Sequence, residues 1–199
     1  MNDLVQLEKL GMDPEMRQRI DPACFPGYQL GRVISVNKNS CVVSAGTSEI
    51  YSELSGKFLF SAQAPEDFPA VGDWVYLELF NDESLGIIHQ IVPRKSLLKR
   101  KSAGKKVDYQ LIAANIDTGI IMQSVDSNYN LRRLERYLVM INESNINPVL
   151  LLSKSDLASP EEMEKKESEI SGIFPELKLI SFSNRNPSDI RKLLELLIP

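Results

Sequence analysis

The residues of this 199-residue chain best placed to do chemistry are Ser153, Lys154 and Asp156, which follow directly on the apolar run Val149-Leu150-Leu151-Leu152. A carboxylate held at such a strand end can accept two parallel hydrogen bonds from a ring N–H and an amino group, the donor pair that guanine offers and adenine does not. Asp156 has the position for that role. Lys154 can lay its alkyl stem along a base plane while its charge stays in water, and the Ser153 hydroxyl can bond to neighbouring backbone. A second contact is expected from the next strand, which ends in Ile180-Ser181-Phe182. The plain alternative is a polar turn at a strand end.

These residues need a buried strand and helices to hold them. Pro148 to Ser153 is apolar without alternation, so it reads as a central strand of an α/β sheet, buried on both faces. Such sheets bind ligands at the carboxyl ends of their strands. Around it the pattern alternates. Thr118 to Val125 reads as a strand, and Leu131, Leu134, Leu138 and Ile141 mark one face of a helix reaching about Ser144. Ser159-Pro160-Glu161-Glu162 opens another helix with a capping box. Leu177 to Phe182 is a third strand, and Asn186-Pro187 starts a last helix with Ile190, Leu193, Leu194 and Leu197 on its apolar face. A parallel sheet with right-handed crossovers is predicted.

Upstream the period is two. Strands are predicted at 32–36, 40–44, 49–54, 74–79 and 86–91, with turn residues between them, and five short strands with few helical signals fit an OB-fold barrel. Before it, Leu4, Leu7 and Leu10 have helical spacing ended by Gly11, and Pro14, Pro22, Pro26 and Gly27 read as a linker. The expected division is a lead-in at 1–30, the barrel at 31–93, a basic linker at 94–112 and the α/β part at 113–199.

The formal net charge of −4 hides an asymmetry. Arg94, Lys95, Lys99, Arg100, Lys101, Lys105 and Lys106 fall within thirteen residues that contain no acid. With Ser102, Ala103 and Gly104 among them, the segment reads as a mobile cationic connector that contacts RNA phosphates. Cys24, Cys41 and the single His89 form no metal-ligand pattern, so no metal site is expected and the thiols are read as free. His89 reads as a solvated strand residue. No apolar run reaches membrane-spanning length, and the first residues lack a signal-peptide pattern, so a cytoplasmic location is expected.

The S-K-x-D strand end is similar to the N-K-x-D guanine motif of GTPases, with Ser153 in place of Asn, and the similarity implies that Ser181 and Phe182, at the end of the next strand, supply a backbone N–H toward the guanine oxygen. No G-x-x-x-x-G-K-[ST] phosphate cradle occurs in the 199 residues. The ordered set Leu54-Ser55-Gly56-Lys57, Val71-Gly72-Asp73-Trp74, Pro93-Arg94-Lys95-Ser96, Ala113-Ala114-Asn115-Ile116-Asp117, Leu134-Glu135-Arg136-Tyr137-Leu138 and the K-x-D strand resembles the RsgA/YjeQ family. These are circularly permuted GTPases that assist maturation of the small ribosomal subunit. The resemblance implies an OB-fold contacting ribosomal RNA, then a GTPase domain whose guanine-recognition half precedes the P-loop. It also implies GTP or GDP with magnesium, and a zinc-binding carboxyl-terminal domain further on. This chain is accordingly expected to be the amino-terminal part of such a protein, without catalytic residues of its own, inactive in hydrolysis alone and able to dimerise through an incomplete sheet. The rival reading is an RNA-binding module on a degenerate, nucleotide-free α/β scaffold.

Overall fold

The computed structural model describes residues 4–21, 23, 26–81, 84–101 and 109–197. It divides into two compact units, Met1–Ile116 and Asp117–Pro199.

In the first unit, α1 (Leu4–Lys9) and α2 (Pro14–Gln18) precede a closed barrel of β1 (Gln29–Val36), β2 (Cys41–Ser44), β3 (Glu49–Leu54), β4 (Trp74–Phe80) and β5 (Leu85–Ile91). The strand order is β1-β2-β3-β5-β4, closed by β1 pairing β4, with β3–β5 the one parallel pair of the barrel. That order defines the OB-fold. Helix α3 (Gly56–Ser61), capped by the Ser55 hydroxyl, sits between β3 and β4 in sequence. Alternation along the strands sends Val33, Val43, Ile50, Val75, Leu77 and Ile88 inside. The expected linker after Gly11 contains α2 and packs on the barrel. Leu7, Met12 and Met16 form a second core with Leu30, Trp74, Tyr76 and Val92. Buried Cys41 is a free thiol, and Cys24 lies outside the described residues.

The segment read as a loop-like connector contains a strand. Leu97–Lys101 (β6) pairs antiparallel with Tyr109–Ala114 (β7). Its run of three cations concealed the strand, because no apolar alternation marks it. Ser102 to Gly104, Lys105 and Lys106 lie outside the described residues.

Within the first unit the segments around Gly72, Arg94 and Asn115 are tied together. Gly72 adopts a left-handed φ of +94°, which only glycine takes without strain, and an added Cβ would stand 2.2 Å from the Ala114 carbonyl oxygen. The Gly72 carbonyl accepts from the Asn115 amide at 3.0 Å, and Asn115 Oδ1 accepts from the Lys95 backbone N–H at 2.9 Å. Asp73, fully buried, takes the Ala70 N–H at 2.8 Å and two hydrogen bonds from Arg94. Charge is tolerated there because the carboxylate is paired and hydrogen-bonded.

The second unit holds β8 (Thr118–Ser124), α4 (Leu131–Asn142), β9 (Asn147–Ser153), α5 (Pro160–Ile173), β10 (Lys178–Ser181) and α6 (Pro187–Leu197). Its sheet is parallel in the order β10-β9-β8, so β9 is central, with Leu150 and Leu152 fully buried. Asn130 caps α4, whose Leu134, Leu138 and Ile141 are buried, and Ser159 and Glu162 form the capping box of α5. Phe182 and Leu193 of α6 pack on Leu151. Leu194, assigned by spacing to the same face, is exposed, as are Ile120 and Met122 on the outer strand β8.

Candidate functional site

The second unit brings its polar residues together where β9 and β10 end. Lys154 takes a left-handed φ of +61°, and Ser155–Leu157 form a single 3-10 turn. The reversal folds Asp156 back toward the loop after β10. There the Ser183 hydroxyl donates to Asp156 Oδ1 at 2.5 Å, and Arg185 Nη1 lies 3.7 Å from Oδ2. Ser155, Asp156, Ser183, Arg185, Asn186 and Asp189 line an open cleft of about 330 Å³. The hydrogen bond from Ser183 holds the Asp156 carboxyl below the usual carboxylate range, aided by the charges of Arg185 and Lys154. Asp156 thus presents an ionised, partly exposed acceptor at the carboxyl edge of the sheet.

Ser183 is itself fixed. Its N–H donates to Asp189 Oδ2 at 3.0 Å, and its hydroxyl accepts from the Arg185 N–H at 3.1 Å. Asn186 Nδ2 donates to Asp189 Oδ1 at 3.1 Å, so the first turn of α6 braces the loop.

The remaining expected residues divide. Ser153 is buried at the strand end, where its hydroxyl donates to the Gln123 carbonyl at 3.4 Å and its own carbonyl accepts from Val125 at 3.1 Å. Lys154 does not leave its ammonium to solvent alone. It bonds Asp126 Oδ2 at 2.7 Å, and Asp126 also accepts from the Ser124 hydroxyl at 2.7 Å. These donors, Lys154 first, drive the Asp126 carboxyl far below its ordinary range.

Ser181 and Phe182 are not at the cleft. Ser181 donates through its hydroxyl to Glu167 at 2.5 Å. Phe182 is buried against Leu151, and its N–H is spent on the Leu152 carbonyl at 2.9 Å. The strand ladder continues one residue past β10, which shifts the loop that meets Asp156 to Ser183-Asn184-Arg185. The register accounts for the shift, since Ser181 pairs with Leu152 and Asp156 lies four residues beyond Leu152. Asp126, Ser183, Arg185 and Asp189 were missed because nothing in their spacing separates them from ordinary loop residues.

In the first unit the basic segment is largely consumed. Arg94 donates from Nε and Nη2 to the two Asp73 oxygens at 2.8 and 2.6 Å, and from Nη1 and Nη2 to the carbonyls of Glu66 and Phe68. Lys95 pairs with Asp13. Lys99 bonds Glu66 at 2.9 Å and lies over the Tyr109 ring. Arg100 bonds the Gln110 side chain at the surface, and Lys101 is exposed. The seven cations are therefore not equivalent; Arg94 and Lys95 are structural ties, and Lys105 and Lys106 lie outside the described residues. His89 faces Glu78 at 3.1 Å and stacks on Tyr28, as a strand-face residue.

An OB-fold barrel followed by a parallel sheet whose central strand ends in K-x-D is the architecture of a circularly permuted GTPase. Two solved structures share this fold. YjeQ from Thermotoga maritima matches with a TM-score of 0.65 at 22% identity over 85% of this chain and 57% of its own. YloQ, described as a circularly permuted GTPase, matches with a TM-score of 0.62 at 19% identity over 85% of this chain and 56% of its own. The RsgA GTPase family model matches residues 91–198, and the chain belongs to that family. Among its relatives, Small ribosomal subunit biogenesis GTPase RsgA 1 of Bacteroides thetaiotaomicron is 36% identical over 83% of this chain and 45% of the relative. Small ribosomal subunit biogenesis GTPase RsgA of Opitutus terrae is 31% identical over 97% of this chain and 54% of the relative. The chain spans about half the length of these curated relatives. No helix among the described residues is long and apolar enough to cross a membrane.

Proposed function

We propose that this chain carries the guanine-recognition half and the RNA-contacting barrel unit of a GTPase of small ribosomal subunit biogenesis. The observation that supports the reading most directly is the Ser183–Asp156 bond, which holds an ionised carboxylate in the cleft at the ends of β9 and β10. Asp156 accepts from the guanine edge, the exposed loop at Asn184 faces the base oxygen, and Lys154, held by Asp126, flanks the base plane. Base choice then follows from donor pattern, since an adenine edge leaves the carboxylate unpaired.

GTP or GDP is the nucleotide of this reading. Magnesium belongs with the phosphates, and hydrolysis requires a phosphate cradle that these 199 residues do not contain, so the chain alone is not a GTPase. Among the described residues no group of three or more His, Cys, Asp or Glu could hold a metal ion, and no residue here is proposed as a ligand of magnesium or zinc. RNA contact is assigned to the surface cations Arg100 and Lys101, with Lys105 and Lys106 beside them in sequence. A cytoplasmic site of action follows from the ribosomal role. Self-association of the isolated chain through the outer strand β8 is expected to show as a dimer in size-exclusion chromatography.

The test is a titration of the 199-residue chain with guanosine and with adenosine, followed by NMR. Guanosine should shift amides of residues 153–156 and 183–186, adenosine should not, and Asp156→Asn should abolish the difference. Equal response to both nucleosides overturns the guanine reading. RNA affinity should fall steeply with salt, and Arg100→Gln with Lys101→Gln should flatten the log–log slope by about 1.5, which is about 0.7–0.9 for each phosphate that is no longer neutralised.

A further inference from the structure

OB-folds commonly bind oligonucleotides on the outer face of their second and third strands. In this barrel that face has the wrong charge. Strands β2, β3, β4 and β5 contain Glu49, Glu53 and Glu78 and no lysine or arginine. Nucleic-acid affinity depends on cations that neutralise phosphates, so these strands repel RNA instead of gathering it.

The same face is apolar between its acids. Strand register sets Tyr51 beside Val42 of β2 and Leu85 of β5, and sets Glu53 beside Ile87, which in turn neighbours Glu78 of β4. Paired residues share a face of the sheet, so these side chains form one outward patch. Tyr51 is 48% exposed, and its hydroxyl lies 3.3 Å from Glu53 Oε1. On β1 and β4 part of the exterior is covered, because Leu7, Met12 and Met16 pack on Leu30, Trp74 and Tyr76. Tyr28 of the lead-in reaches the face only at His89 of β5, and Glu49, Tyr51 and Glu53 of β3 remain exposed.

We propose that this face docks a basic polypeptide segment, in which lysines or arginines meet Glu49, Glu53 and Glu78 while an apolar side chain lies on Tyr51, Leu85 and Ile87. An aromatic anchor ringed by complementary charge is the usual composition of a protein-recognition patch. The cations of β6 lie outside these strands, so RNA and the basic segment engage different residues of the same unit.

The experiment uses the whole chain and two fluorescent probes read by anisotropy at low ionic strength: a short synthetic lysine- and arginine-rich peptide with a central leucine, and a short oligouridine. Tyr51→Ala, and the pair Glu49→Gln with Glu53→Gln, should each weaken the peptide by about tenfold, which corresponds to about 1.4 kcal/mol, and leave oligouridine unchanged. The control pair Glu161→Gln with Glu164→Gln on α5 should leave both probes unchanged. These positions are exposed; Trp74 emission verifies that the β3 variants are folded and circular dichroism that the α5 pair is, and Glu53→Gln alone substitutes for a β3 pair that is not. The proposal is overturned if the peptide does not bind, if the α5 pair weakens it equally, or if Tyr51→Ala weakens oligouridine instead.

Discussion

The Ser183 hydroxyl donates to Asp156 Oδ1 at 2.5 Å, joining residues 27 apart in sequence across two parallel strand ends. That bond orients the carboxylate and keeps it ionised. Ser183→Ala should therefore weaken guanosine about tenfold, in the range of one hydrogen bond to a charged group, whereas Asp156→Asn should remove binding. The pH dependence carries the same sign. In the proposed guanine site binding uses the ionised carboxylate, whose pKa is lowered, so affinity should hold through the ordinary carboxylate range and fall only at more acidic pH. In Ser183→Ala the fall should begin at higher pH. An unchanged pH profile in that variant means that Ser183 does not tune Asp156.

Arg94 illustrates how a charged residue can be structural. Its side chain is 15% exposed and its Asp73 partner is fully buried. Arg94→Ala leaves that carboxylate unpaired in the interior, at a cost of about 3–5 kcal/mol. Arg94→Lys should recover little, because a single ammonium cannot span two carboxylate oxygens and two carbonyls. Urea unfolding followed by the single tryptophan, Trp74, measures both. A loss below about 1 kcal/mol for Arg94→Ala would assign the residue to the surface, where such pairs contribute little.

Strand β3 was legible because it sets one face into the barrel and alternation writes that in the sequence, whereas β4, buried on both faces from Trp74 to Leu77, was marked by its apolar and aromatic run between turn residues. The central strand β9 was legible as β4 was, being apolar throughout. Strand β6 was not, since Lys99, Arg100 and Lys101 erase its period. The cationic run likewise did not disclose that Arg94 and Lys95 answer Asp73 and Asp13, acids 21 and 82 residues away. At the candidate site, Asp156 was legible as a strand-end carboxylate, but the second loop was expected at Ser181 and Phe182, and it is Ser183 that meets Asp156. The ladder consumes the Phe182 N–H, and sequence spacing does not show where pairing stops.

Cys41 should be inert in the folded chain. Burial and the nearby Asp73 carboxylate push its thiol up to about 11. At pH 8 only about one thiol in a thousand is then thiolate, the form that reacts. Iodoacetamide followed by peptide mass mapping should leave Cys41 unmodified in buffer and modified in urea. Labelling of Cys41 in the native chain at the rate of a free thiol would contradict its burial.

Gly72 and Gly27 separate backbone strain from steric conflict. Both have left-handed φ values, +94° and +100°, but an added Cβ at Gly27 meets nothing within 4 Å, while at Gly72 it stands 2.2 Å from the Ala114 carbonyl oxygen. Gly27→Ala should cost only the conformational penalty, about 1–2 kcal/mol. Gly72→Ala must also push β7 away, which would disturb the Ala114 N–H bond to Val71 at 2.8 Å and the Asn115 bond to the Gly72 carbonyl. Its cost should exceed about 4 kcal/mol, the range reserved for a few severe mechanisms. Trp74 emission during urea unfolding compares the two directly, and equal losses would mean that Ala114 yields without cost.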